Sequence, residues 1–169
     1  GAVGQAIQQS SVPREEIFVT SKLPGRHHRY QEAITTIQES LYRMHLDYFD
    51  LYLIHWPNPK EDLYLEAWQA LIDAKKFGLV RSIGVSNFLP EHLERPEKQT
   101  GILPTVNQIE LPPDWSQPQQ LKFAADHRIF TQPWRPLVRA NALLQQSVIK
   151  KIAQAHHKSI APIIFRWKL

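Results

Sequence analysis

Five short apolar runs in this chain each end in side chains equipped for chemistry: Ile17–Lys22, Tyr48–Trp56, Val80–Asn87, Pro104–Glu110 and Ile129–Trp134. Lys22 brings a cation that can depress the pKa of a neighbouring phenol or amine. His55 can donate a hydrogen bond to a carbonyl and orient it for attack. Ser86 and Asn87 can bond an amide, although the same pair is ordinary helix-cap and turn chemistry. Gln108 and Glu110 stand two apart and so share one face of a strand, and a buried glutamate there needs a partner. Trp56 and Trp134 can wall a pocket or stack on a heteroaromatic ring, or simply fill a core. Taken singly, Lys22 reads as a strand-ending surface lysine and His55 as a histidine satisfied by backbone. Their common position at strand ends makes them candidates for one pocket.

The elements that must carry them alternate. The four intervals between the runs each hold a segment of helical periodicity, such as Tyr30–Met44 with Ala33, Ile34, Ile37, Leu41 and Met44 at three- and four-residue spacing. A helix is predicted from about Leu63 to Phe77, closed by a left-handed Gly78. Others are predicted near Gln119–His127, Ser147–His157 and Ile160–Leu169, and a helix tail at the amino end. A short helix from Glu91 should be cut or kinked at Pro96, which cannot donate the backbone bond. Buried strands alternating with helices imply parallel pairing through right-handed crossovers, and the expected architecture is a (β/α) barrel with its site at the strand carboxyl ends.

Composition narrows the field. The 169 residues are 43% hydrophobic and 21% charged, with a net charge of +4 and no cysteine. Disulfides and thiolate metal sites are therefore excluded. No apolar run approaches a membrane span, and the amino terminus lacks a signal-peptide pattern, so no membrane association and a cytoplasmic address are expected. Basic residues are scattered rather than clustered, which argues against nucleic-acid binding. The pairs His27–His28 and His156–His157 diverge too far on a helix to chelate, and no metal site is expected. No glycine-rich dinucleotide or phosphate-loop fingerprint occurs. A closed barrel of this class takes roughly 250 residues, so an incomplete one of about five strands and six to seven helices is expected over residues 1–169.

The motifs LYLIHWP (Leu51–Pro57), VRSIGVSNF (Val80–Phe88) and VNQIEL (Val106–Leu111), in that order, resemble the aldo-keto reductase family, nearest its bacterial diketogluconate or diketogulonate reductase-like branch. The resemblance implies a (β/α)8 barrel binding NADP(H) across its carboxyl-terminal face and passing hydride to an aldehyde or ketone. It implies that Lys22 lowers the pKa of a catalytic tyrosine and that His55 orients the carbonyl. Ser86, Asn87 and Gln108 would bond the nicotinamide carboxamide, Trp134 would stack on its ring, and Trp56 would wall the substrate pocket. Arg135 and Leu137 match the segment beyond the stacking aromatic, and Arg135 could meet the pyrophosphate or obstruct it.

The sequence also departs from the family pattern. The family's tyrosine and its aspartate partner belong to a strand expected before Gly1, and the 2'-phosphate-binding strand and helix are expected after Leu169. Pro112-Pro113 stands where the family usually reads His-Pro, Arg135-Pro136-Leu137 where it reads Ser-Pro-Leu, and Val138–Asn141 where it carries a glycine loop. Without the phenol the chain alone should reduce carbonyls weakly, because a general acid typically contributes about 10²–10⁴-fold. An open sheet should also favour self-association through its edges. Three functions stay open: part of an NADPH-dependent carbonyl reductase, a remnant or nucleotide-sensing module without turnover, and an unrelated barrel enzyme using His55 and Glu110 as acid and base.

Overall fold

A computed structural model describes residues 1–112, 115–135 and 146–167 of the chain. Five parallel strands lie in the order β1-β2-β3-β4-β5, each beside its neighbour in sequence. They are β1 (Thr20–Leu23), β2 (Phe49–Ile54), β3 (Val80–Ser86), β4 (Val106–Glu110) and β5 (Phe130–Trp134). The helices among the described residues are α1 (Ala2–Gln8), α2 (Tyr30–Met44), α3 (Tyr64–Lys76), α4 (Pro90–Thr100), α5 (Pro118–Asp126), α6 (Ser147–Ala155) and α7 (Ile160–Trp167). The α/β class and the partial-barrel expectation both hold.

Helix α2 occupies the predicted span. It turns Ala33, Ile34, Ile37 and Leu41 into the core against α3, which contributes Trp68, Ala70 and Leu71. All six residues of β2 are buried, as expected of a strand covered on both faces. Burying one such Leu or Phe contributes about 1.5–3 kcal/mol. Gly78 adopts φ +78° and closes α3 as predicted. Gly84 has another reason: a Cβ there would lie 2.6 Å from the Val106 carbonyl oxygen and 2.7 Å from Leu53 Cδ2, so only glycine lets β3 sit between β2 and β4.

Pro96 does not cut its helix. Helix α4 runs unbroken through it, with the ring buried. The ends are well held instead: His92 Nδ1 accepts the Leu89 N–H at 3.2 Å, and Gly101 closes the last turn on the Glu97 carbonyl at 2.8 Å. Thr100 Oγ1 donates to the Pro96 carbonyl at 2.7 Å.

The first strand is also shorter at its start than Ile17–Lys22. Residues 17–19 are tied sideways, to the beginning of β2. Arg14 donates to the Ile17 carbonyl, the Tyr48 carbonyl and Asp50 Oδ2 at 2.6, 2.8 and 3.0 Å, and the Val19 N–H donates to Asp50 Oδ2 at 2.8 Å. Asp50 is buried, and the Arg14 and Arg81 guanidiniums both lie over the Tyr48 ring, 4.1 and 3.8 Å from its centroid. This knot fixes the end of the sheet remote from the pocket.

Candidate active site

Strand register assembles the site. Ser86 pairs with Gln108, and Gln108 with Gln132, so three polar side chains form one row across β3, β4 and β5. Ser86 Oγ donates to the Gln108 carbonyl at 2.9 Å, and Gln108 Nε2 donates to Gln132 Oε1 at 2.9 Å. On the other flank Lys22 pairs with Leu53, and His55 follows β2 with its N–H bonded to the Leu23 carbonyl at 3.1 Å.

Asn87 is the hub. Its backbone is left-handed, φ +63°, a conformation that asparagine tolerates better than most residues. The N–H binds the Gln108 carbonyl at 2.9 Å. Nδ2 donates to the His55 carbonyl and to Ser86 Oγ, both at 3.0 Å, and Oδ1 accepts the Trp134 indole N–H at 2.9 Å. One side chain thus ties together the ends of β2, β3 and β5.

The result is a cavity of about 150 Å³ lined by Lys22, His55, Trp56, Ser86, Asn87, Gln108 and Trp134. A space of that size holds one six-membered aromatic ring. Its lining contains a cation and an imidazole but no carboxylate. His55 sits at the mouth, partly open to solvent. Desolvation of its ring, and to a lesser degree the Lys22 ammonium, lowers its pKa below the ordinary value, so it is neutral at pH 7 and can donate one N–H.

Seven of the sequence-predicted residues therefore meet in one place. Glu110 does not join them. It lines a neighbouring cavity of about 170 Å³ with Leu89, Trp115, Gln117 and Gln120, and Trp56, Asn87 and Trp134 are common to both and form the wall between. An acid–base pair of His55 and Glu110 within one cavity is thus not what the fold builds. Arg135 follows Trp134 with φ +50° and places its guanidinium 5.8 Å from the indole centroid. Leu137 and Val138–Asn141 lie outside the described residues. Sequence reasoning missed Gln132 as the support of Gln108, although it stands two residues before Trp134 and so shares that face. It also missed Trp115.

A five-stranded parallel wall with its polar row, histidine and lysine at the carboxyl ends places the pocket where (β/α) barrels carry their sites. The chain belongs to the aldo/keto reductase family, whose model matches residues 1–147. It is 47% identical over 169 residues to methylglyoxal reductase DkgA of Yersinia pestis, covering 99% of this chain and 60% of that protein. It is 44% identical over 165 residues to 2,5-diketo-D-gluconic acid reductase B of a Corynebacterium species, covering 98% and 60%. Among solved structures, a variant of Gox0644 in complex with NADPH superposes with a TM-score of 0.91 at 42% identity, covering 98% of this chain and 59% of that one. The chain spans about 60% of the length of these curated relatives. Among the described residues no helix is long and apolar enough to cross a membrane, and no three His, Asp or Glu side chains gather as a metal site.

Proposed function

We propose that this chain carries the nicotinamide-binding and carbonyl-orienting part of an NADP(H)-dependent reductase of small aldehydes or ketones. The single observation that carries the reading is the ring-sized cavity holding Lys22, His55, Trp56, Ser86, Asn87, Gln108 and Trp134 together. The residues fit a nicotinamide. Trp134 offers an indole wall, and bonding capacity remains at its polar edge: a lone pair on Asn87 Oδ1, one on Ser86 Oγ and the second N–H of Gln108. These groups are already fixed by bonds to one another, so holding a carboxamide costs little further ordering.

When bound, the nicotinamide supplies the hydride. The protein's part is orientation and electrostatics. Neutral His55 donates its N–H to the carbonyl oxygen, and the Lys22 ammonium stabilises the negative charge that develops there. Trp56, 46% exposed, forms the outer wall against which the substrate lies. Arg135, whose guanidinium lies over the Trp134 ring, would stand on the route toward the phosphates. Among the described residues no tyrosine lines this cavity, so turnover by these 169 residues alone is expected to be slow. The reading also places the chain in the cytosol and leaves the edges β1 and β5 available for self-association.

The test is titration of the chain with NADPH, followed by tryptophan fluorescence, then addition of methylglyoxal with NADPH oxidation recorded. Saturable quenching with slow oxidation supports the proposal. Saturable binding with no oxidation, even when a longer chain carrying the family tyrosine is supplied, would favour a nucleotide-binding module without turnover. A folded chain that does not bind NADPH would overturn both.

A further inference from the structure

Among the described residues, the formal charge lining the ring cavity is of one sign. Lys22 lines it, and no carboxylate does. Arg135 holds a second cation over the Trp134 indole, 5.8 Å from the ring centroid. Glu110 lines the neighbouring cavity, which shares Trp56, Asn87 and Trp134 with this one. A nicotinamide ring is neutral when reduced and carries a full positive charge when oxidised. The two forms have nearly the same shape, so shape and hydrogen bonding cannot separate them, and the local charge can.

Resting on the nicotinamide reading above, we infer that Arg135 is a redox-state selector: its guanidinium, stacked on Trp134, disfavours the oxidised cofactor relative to the reduced one. A ring in van der Waals contact with Trp134 lies within about 9 Å of that guanidinium. Two unit charges at that separation repel enough to shift the affinity ratio by about twofold in bulk water and about twentyfold at an effective dielectric of 20. Arg135 is exposed, so the effect falls between these limits and weakens with salt. Its consequence is directional. The oxidised product leaves more readily than the reduced form, which biases the site toward carbonyl reduction over alcohol oxidation.

The experiment is calorimetric titration of the whole chain and of its Arg135→Leu and Arg135→Lys variants with NADPH and, separately, NADP⁺, at low and high salt. Both nucleotides carry the same phosphates, so any phosphate contact cancels in the ratio of their dissociation constants. Arg135→Leu is expected to lower the NADP⁺-to-NADPH ratio by about three- to tenfold, mainly by tightening NADP⁺. Arg135→Lys keeps the ratio, and high salt shrinks it in the parent and in Arg135→Lys but not in Arg135→Leu. An unchanged ratio in Arg135→Leu overturns the inference while leaving the nicotinamide site standing. Parallel weakening of both nucleotides also overturns it and makes Arg135 a phosphate ligand. If the folded parent binds neither nucleotide, the underlying reading falls and the inference with it.

Discussion

Trp134 donates its indole N–H to Asn87 Oδ1 at 2.9 Å across 47 residues of sequence, and this bond joins the end of β5 to the end of β3. The same asparagine holds the His55 carbonyl at 3.0 Å. The Trp134 indole and the His55 backbone are thus tied to one amide.

Replacing Asn87 separates its two roles. Asn87→Gly keeps the left-handed backbone and loses the amide, whereas Asn87→Ala loses the amide and strains the backbone as well. Both should weaken NADPH binding by at least about tenfold, the equivalent of one good hydrogen bond. Asn87→Ala should also cost about 1–3 kcal/mol of stability, more than Asn87→Gly. Calorimetry and thermal melts on the pair would check this; equal nucleotide affinity in parent and variants would remove Asn87 from the site.

Lys22→Met should move the His55 pKa upward. The ammonium lowers that pKa by repelling the imidazolium, so removing it relieves the smaller of the two causes. Desolvation is the larger cause and stays, which keeps the value below the ordinary histidine one. Ring-proton chemical shifts across pH 4–8 (roughly the histidine titration range) would follow the change.

His28 is buried, and among the described residues neither ring nitrogen has a hydrogen-bond partner. Burial depresses its pKa, with Glu61 opposing in part. The folded state therefore binds fewer protons than the unfolded one below about pH 6.5, and the stability this histidine supports is lost as pH falls through that window. His28→Leu removes an unsatisfied imidazole. It should leave stability near pH 8 little changed and flatten the loss toward pH 5, as read by melts across pH.

Asp50 and Asp62 give a contrast of burial. Asp50 accepts bonds from Val19, Arg14 and Arg81 with 5% of its surface exposed, so Asp50→Ala should cost about 3–5 kcal/mol by leaving guanidinium and amide unpaired. Asp62 meets Arg95 through two bonds on the exposed surface, and Asp62→Ala should be mild by comparison. Urea unfolding of the two variants measures the difference.

Strand β5 presents Phe130 at 67% exposure beside an edge that, among the described residues, pairs only with β4. Self-association of the chain at micromolar concentration is expected, and Phe130→Lys should reduce it. Sedimentation velocity of the parent and variant decides the matter; a monomeric parent would show the edge to be protected.

Much of this was legible in the chain. Apolar spacing located Tyr30–Met44 because that helix is amphipathic over a single core, and Gly78 announced its own turn. The ends of the five apolar runs pointed to the pocket because parallel strands deliver their last residues to one face. Other features depend on geometry that no local pattern encodes. The left-handed turn at Asn87 is held by bonds from three strands. The support of Gln108 by Gln132 follows from register alone. Pro96 is tolerated because burial and two well-made helix ends compensate a rule that is true locally. Glu110 shares the strand face of Gln108, yet Trp134 beside it divides the space into two.

The strictly sequential strand order bears on how the molecule comes into being. Every sheet contact among the described residues joins one βα unit to the next, so β1 to β4 can be laid down in turn as they emerge from the ribosome. The ring cavity is different. Until the indole of Trp134 arrives and closes on Asn87, there is a floor and no wall, so the ring cavity exists only once the fifth strand has been made.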